Sequence, residues 1–193
     1  MSFRPFPASA CWQHRGARAG FEVVYFRAAE SGWRIDGTTT ALEDGQTWAV
    51  TYGIEVDAAW ATRRAHLAAT TVTGRREIRL DGDGAGRWRI DGEPAPHLDG
   101  CLDVDLESSA MTNTLPVHRL GLAAGAHAAT PAAYVRALDL RVERLEQTYA
   151  RLPGDSGRQR YRYAAPAYDV VCTLVYDESG LVLDYPGIAV RAG

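Results

Sequence analysis

Apolar and polar residues alternate along much of the chain, a pattern typical of half-buried β-strands. Glu77, Arg79 and Asp81 alternate with Ile78 and Leu80, for example. Asp-Gly pairs, which favour tight hairpin turns, interrupt many of these alternating segments. We therefore predict strands at 20–28, 32–41, 47–57, 64–73, 98–106, 116–122, 159–165, 168–176 and 181–185.

Segment 131–152 fits two patterns at once. Leu138, Val142 and Leu145 follow helical spacing. Leu138, Leu140 and Val142 instead alternate with polar residues, as in a strand. The residues alone leave both interpretations open.

The number and spacing of the other strands predict an antiparallel sandwich, barrel or curved sheet. Short helices are expected near Pro7–His14 and within 107–114. The chain has 193 residues, which predicts a single domain over 1–193 with a core of its own.

The charged residues exclude several classes of function. Net charge is −3, which argues against a nucleic-acid partner. All 21 basic residues counted as Lys or Arg are Arg. Schiff-base lysine chemistry and a phosphate-binding P-loop are therefore excluded, and recognition of a charged head group would fall to arginine.

Cysteine usage and hydropathy bear on location. Cys11, Cys101 and Cys172 are far apart and form no metal-binding or redox motif. The start of the chain has no apolar segment of signal-peptide length, and no run is long enough for a transmembrane helix. We expect a reduced, cytoplasmic protein with no metal and no cofactor.

The richest candidate chemistry lies in segment 100–122. Asp103 and Asp105 share one face of a predicted strand. Such a carboxylate pair could bind a cation, act as an acid and base, or form a solvated polar face. Thr112, Asn113 and Thr114 follow, and offer hydrogen bonds either to their own loop or to a ligand.

Basic and nucleophilic candidates are scattered. Arg119 follows the polar segment directly, and Arg63 lies far away in sequence. Ser108 or Ser109 could act with His118 only if the fold assembles a triad. Neither an H-E-x-x-H motif nor a G-x-S-x-G motif occurs in the sequence.

Several motifs, taken together, resemble the bacterial putative glycolipid-binding family. Trp12, the Gly-Phe-Glu at 20–22 and the stretch from Tyr52 to Arg63 are similar to it. So are four longer motifs: G-C-L-D-V-D-L at 100–106, T-N-T-L-P-V-H-R-L at 112–120, Q-T-Y at 147–149 and G-L-V-L-D-Y-P-G at 180–187. Two positions depart from the family pattern. Ser109-Ala110-Met111 stands where Thr-Pro-Phe is common, and His118-Arg119 where Arg-Arg is common.

The resemblance implies a fold and a class of ligand. The fold is a mostly β, antiparallel curved sheet or open barrel with one or two short helices, similar to the lipoprotein carriers LolA and LolB. It also implies that 133–150 is strand interrupted by a bend. The implied function is non-catalytic binding or carriage of an amphiphile such as a glycolipid, in a concave apolar cavity.

Three hypotheses follow for the function. In the first, an apolar face holds an acyl chain, and a polar group of residues orients the head group: Glu22, Arg63, Asp103, Asp105, Thr112, Asn113, Thr114 and Arg119. The alternative is a hydrolase of a sugar- or acyl-containing small molecule that uses carboxylates of 103–119. The third is a domain whose motifs only stabilise the fold. The oligomeric state is not indicated by the sequence.

Overall fold

A large curved antiparallel sheet dominates the protein and does not close into a barrel. The computed structural model describes residues 3–107, 109–154 and 158–192, so Ser108 lies outside the described residues. The strands are β1 Ser9–His14, β2 Arg18–Ala29, β3 Gly32–Glu43, β4 Gln46–Val56, β5 Thr62–Thr71, β6 Gly74–Gly82, β7 Trp88–Ile90, β8 Glu93–Pro94, β9 Asp103–Leu106, β10 His127–Ala129, β11 Ala132–Val135, β12 Val142–Leu145, β13 Thr148–Arg151, β14 Gln159–Ala165, β15 Val170–Tyr176, β16 Val182–Tyr185 and β17 Ala189–Ala192.

The large sheet joins the two ends of the chain. Its strand order is β10-β13-β14-β15-β16-β17-β1-β2-β3-β4-β5-β6-β7-β8. The seam lies where β1 pairs with β17, with Trp12 opposite Arg191. A second, three-stranded sheet has the order β12-β11-β9, and β9 runs parallel to β11.

One α-helix, α1 Thr114–Leu120, is present in the described residues. It follows a 3-10 turn at Met111–Asn113 and ends at Gly121, whose φ of 51° is left-handed. The Gly121 N–H donates to the carbonyl of Val117 at 3.2 Å, which is the usual way a glycine ends a helix. Further 3-10 turns lie at Pro96–Leu98 and Pro166–Tyr168.

The main core lies between the large sheet and the segments that cover its inner face. Alternate residues of the long strands, such as Trp12, Ile35 and Ile54, are fully buried. They share one apolar cluster with Met111 and Leu115. The protein's own chain therefore fills this inner face, where an acyl chain would have to lie in a concave carrier.

The predicted fold class is confirmed: the protein is mostly β, antiparallel and curved. Strand 159–165 coincides with β14, and segment 133–150 is strand interrupted by a bend, within β11 to β13. The bend includes Leu140, whose φ of 57° is left-handed.

Two local predictions are wrong. The helix expected near Pro7–His14 is strand β1, because Ala10, Trp12 and His14 alternate inward and each interior side chain is buried. The strand expected at 116–122 is mostly helix α1. Consecutive residues Leu115, Pro116 and Val117 are all buried there, so no solvated strand face exists.

No helix among the described residues combines the length and apolar character needed to cross a membrane.

Candidate functional site

Segment 103–119 forms part of the inner layer, where strand β9, the 3-10 turn and α1 follow one another. Asp103 and Asp105 lie two residues apart in β9, so their side chains share one face. Val104, on the opposite face, belongs to the main apolar core. The predicted solvated face does not exist, because both carboxyl groups are buried.

Asp103 is held by a bidentate ion pair with Arg119. Arg119 Nε donates to Asp103 Oδ1 at 2.9 Å, and Arg119 Nη2 donates to Oδ2 at 2.6 Å. Thr130 Oγ1 also donates to Oδ2, at 3.1 Å. Both oxygens of this carboxylate are therefore used within the protein, and a paired fork of this kind is among the stronger hydrogen-bonded arrangements.

Asp105 has one side-chain hydrogen-bond partner among the described residues. Thr112 Oγ1 donates to Asp105 Oδ1 at 2.7 Å. Burial raises the pKa of Asp105 to about 7, and the like charge of Asp103 adds to this, while hydrogen bonds from Thr112 and from the Leu106 backbone act in the opposite direction. Asp105 therefore keeps its proton to a higher pH than an ordinary aspartate does.

Asp105 lines a cavity of about 290 Å³. We call it the tyrosine cavity, and its principal lining residues are Asp105, Asn113, Tyr134, Tyr163, Tyr168 and Tyr185. The elements that carry them are β9, the 3-10 turn, β11, β14, the turn before β15, and β16. The cavity thus lies where the small sheet faces the C-terminal part of the large one.

The four tyrosine rings meet in two pairs. The Tyr163 and Tyr185 ring centroids are 5.9 Å apart with planes at 79°, and those of Tyr134 and Tyr168 are 5.2 Å apart at 45°. Burial raises the pKa of Tyr134 and Tyr163 far above the usual range, and the Asp105 carboxylate contributes to both shifts. The hydroxyls stay protonated, so the rings offer apolar faces with polar ends.

Two arginines also line the cavity, and both are ion-paired. Arg18 Nε contacts Glu43 at 2.9 Å, and Arg18 Nη2 contacts Glu107 at 3.3 Å. Arg136 Nε contacts the other oxygen of Glu107, also at 3.3 Å. These cations are balanced by their own partners, so the negative charge of Asp105 has no matching cation in the cavity lining.

Glu22 lies behind the cavity wall and is fully buried. Tyr52 Oη donates to its Oε1 at 2.6 Å, and Ser109 Oγ donates to the same atom. The backbone N–H groups of Ala110 and Met111 donate to Oε2 at 2.9 and 3.3 Å. The carboxyl thus satisfies backbone donors at the start of the 3-10 turn, and burial raises its pKa.

Replacing Glu22 by Gln should lower the free energy of unfolding by about 2 kcal/mol, because an amide NH₂ would face donors that now bind a carboxylate oxygen. Chemical denaturation at pH 7 measures the change. Arg63→Gln is the control and should change stability by less than about 0.5 kcal/mol, since Arg63 is exposed. Equal stability of the Glu22 variant and the wild type would contradict this structural role.

The other predicted site residues are distributed as follows. Asn113 lines the cavity, and its Oδ1 accepts a hydrogen bond from Tyr149 Oη at 2.8 Å. Thr114 is buried, with no hydrogen-bond partner for its hydroxyl in the described ranges. Arg63 is not brought to this site: it lies on β5 and pairs with Asp57 at 3.5 Å.

His118 and Ser109 form no catalytic pair. His118 Nε2 is 2.9 Å from the Ser179 carbonyl, and its ring stacks on Trp60 at 4.0 Å. Burial lowers the pKa of His118 to about 4, so it is neutral at pH 7 and Nε2 carries the donated hydrogen. Within the described ranges, no three His, Cys, Asp or Glu residues are placed to hold a metal ion.

Comparison with known proteins identifies the family. The family model described as "Putative glycolipid-binding" matches residues 9–191. The chain belongs to this glycolipid-binding family. No curated protein matches it in sequence.

Two solved structures are similar to this member of the glycolipid-binding family. One is a DUF1089 family protein from Pseudomonas aeruginosa, 32% identical, with a TM-score of 0.74 over 98% of this chain and 95% of that one. The other is a beta-barrel-like protein of the domain of unknown function DUF1849 from Brucella abortus. It is 12% identical, with a TM-score of 0.53 over 98% of this chain and 96% of that one; this second likeness concerns the fold alone.

The tyrosines are candidates for lining a ligand cavity on their chemistry, but the sequence does not single out which of them form the wall in this glycolipid-binding family member. Tyr134, Tyr163, Tyr185 and Arg18 come from strands distant in sequence, and Arg136 directly follows β11, so each alone looks like an ordinary residue of a β protein. The one local signal is the alternation of Tyr161 and Tyr163 in β14, which places both rings on the buried face.

Proposed function

We propose that this protein binds an amphiphilic small molecule without changing it covalently, and that the molecule's head group lies in the tyrosine cavity. The observation that carries the proposal is the Asp105 carboxyl in the cavity wall. Only 7% of this residue is exposed, and a buried carboxylate without a cationic partner is costly. A polar ligand group in the cavity would lower that cost by donating to the carboxyl.

The family assignment supports a binding protein, and we propose a glycolipid as the ligand. Sugar rings present apolar faces and hydroxyl groups, which match tyrosine rings and their polar ends. A cavity of about 290 Å³ is at the small end of the range for ligand sites. It therefore takes a head group the size of a sugar ring, and the acyl part lies outside it.

The hydrogen bonds that Asp103 accepts favour a binding protein over a hydrolase that uses Asp103 and Asp105 as its catalytic pair. A retaining or inverting mechanism needs two carboxyl groups free to reach the substrate. Both oxygens of Asp103 are taken by Arg119 and Thr130. Action in the cytoplasm and the kinship to the carriers LolA and LolB remain predictions.

The proposal is tested by titrating the protein with octyl amphiphiles that differ in head group, below their micelle concentrations, and following tyrosine and tryptophan fluorescence. We expect at least one to bind with a micromolar to sub-millimolar Kd. Ala165 lines the cavity, so Ala165→Phe should weaken that binding at least tenfold, whereas Arg63→Gln should leave it unchanged.

A second measurement guards against a poor choice of amphiphile. Organic extraction of protein purified from its native host, followed by mass spectrometry, should recover an amphiphile from the wild type. The proposal is overturned if the extract contains none and no octyl compound binds.

A further inference from the structure

We propose that the tyrosine cavity selects head groups that carry a positively charged nitrogen, which sits against Asp105. This inference rests on the proposed function and names the ligand chemistry. Within glycolipids, the matching head group is an amino sugar; an alkylammonium head group offers the same chemistry from another source.

The first support is the geometry of Asp105. Thr112 donates to one carboxylate oxygen at 2.7 Å, and Asp105 lines the cavity. An ammonium group in the cavity can donate to this carboxylate and also neutralises its charge. A neutral hydroxyl can donate a hydrogen bond but carries no charge, so it removes a smaller part of the cost of the buried carboxylate.

The second support is the ring arrangement. Tyr163 and Tyr185 meet almost at right angles, and Tyr134 and Tyr168 form a second tilted pair. The Arg136 guanidinium already lies over the Tyr168 ring, 5.8 Å from its centroid. The other three rings around this small volume can attract a ligand cation through their quadrupoles. The Asp105 carboxylate and the tyrosine rings of this cavity therefore both favour a ligand group with a positive charge.

The third support is the balance of charge among the groups around Asp105. Arg18 and Arg136 already contact Glu43 and Glu107, and Asp103 is paired with Arg119. The titratable and charged groups in this part of the structure are Arg18, Asp103, Glu107, Arg119, Tyr134, Arg136, Tyr149, Tyr163, Tyr168, Tyr176 and Tyr185. When Asp105 ionises, its negative charge has no cationic partner among these groups. An anionic head group in the cavity would therefore be repelled by Asp105.

The test compares two matched pairs of probes by calorimetry, the sugar pair at pH 7, where the glucosamine nitrogen is mostly protonated, and the choline pair at pH 8. Glucosamine and glucose differ at one ring position, and choline and 3,3-dimethylbutan-1-ol differ in charge but little in shape. We expect the charged member of at least one pair to bind about 10- to 100-fold more tightly. For glucosamine the gain is that of a hydrogen bond to a charged group, and for choline, which has no N–H, it comes from charge attraction and the aromatic faces. The pair that shows the preference identifies the source of the nitrogen.

Two further readouts locate the effect at Asp105. Choline keeps its charge at every pH, so its affinity should fall as pH drops through 7 and Asp105 takes up a proton. The fall should level off at about 10- to 100-fold, the full preference for charge. The near-isosteric Asp105→Asn variant should lose the preference for charge. The pH series uses the wild type, so it stands even if the variant folds poorly.

The outcomes separate this inference from the proposed function. Binding of octyl amphiphiles with equal affinity for charged and neutral probes would overturn the inference and leave the proposed function intact. A preference for cations that survives in Asp105→Asn would also overturn it. Failure of every amphiphile to bind, with no lipid in the native extract, would remove both.

Discussion

Arg119→Met should lower the free energy of unfolding by about 3–5 kcal/mol, because it leaves the buried Asp103 carboxylate without its cation. None of the Asp103 side chain is exposed, and only 14% of the Arg119 side chain is. Solvent therefore cannot replace the lost partner. Urea denaturation at pH 7, analysed for both midpoint and slope, measures the change.

A double variant separates the pair from its surroundings. Arg119→Met combined with Asp103→Asn removes both charges and should recover a large part of the loss, since no bare charge remains. Arg63→Met is the matched control; its exposed pair with Asp57 predicts a change below about 1 kcal/mol. A single Arg119 variant as stable as this control would show that the pair has no structural role.

Asp105→Asn should have the opposite effect on stability at high pH. The pKa of Asp105 is about 7 in the folded protein, against about 3.9 in an unfolded chain. Between these values the folded state holds the extra proton, so the carboxyl costs increasing stability as pH rises from 4 to 7. Asn carries no such cost, so the variant should be more stable at pH 8 by up to about 4 kcal/mol.

The same substitution should make stability less dependent on pH. Thermal unfolding of both proteins from pH 4 to pH 8 measures this, and their difference should shrink towards pH 4, where Asp105 is protonated in both states. A variant that is stabilised but binds poorly would mark Asp105 as a group kept for function at the expense of stability. Destabilisation at pH 8 would show instead that Asp105 is a structural carboxylate.

Periodicity predicted the sheet because its physical basis is local. Alternate residues of a strand face opposite sides, so strand β14 and the long hairpins β2 to β5 follow from the sequence alone. The strand predicted at 116–122 was wrong because alternation detects only strands. Pro116 and Val117 are consecutive and both buried, and the left-handed Gly121 ends a helix there.

The candidate site was predicted in part. The same-face placement of Asp103 and Asp105 followed from strand geometry, whereas their different roles did not. One is neutralised by Arg119 and the other lines a cavity, and this difference depends on Thr130, Thr112 and rings from remote strands. Such long-range partners leave no periodic pattern in a single sequence.

The most direct test of the central claim is a crystal structure of the protein with the octyl amphiphile that binds most tightly. We predict that its head group occupies the tyrosine cavity, with a donor atom within hydrogen-bond distance of the Asp105 carboxyl. An empty cavity, with the amphiphile bound elsewhere, would contradict the claim.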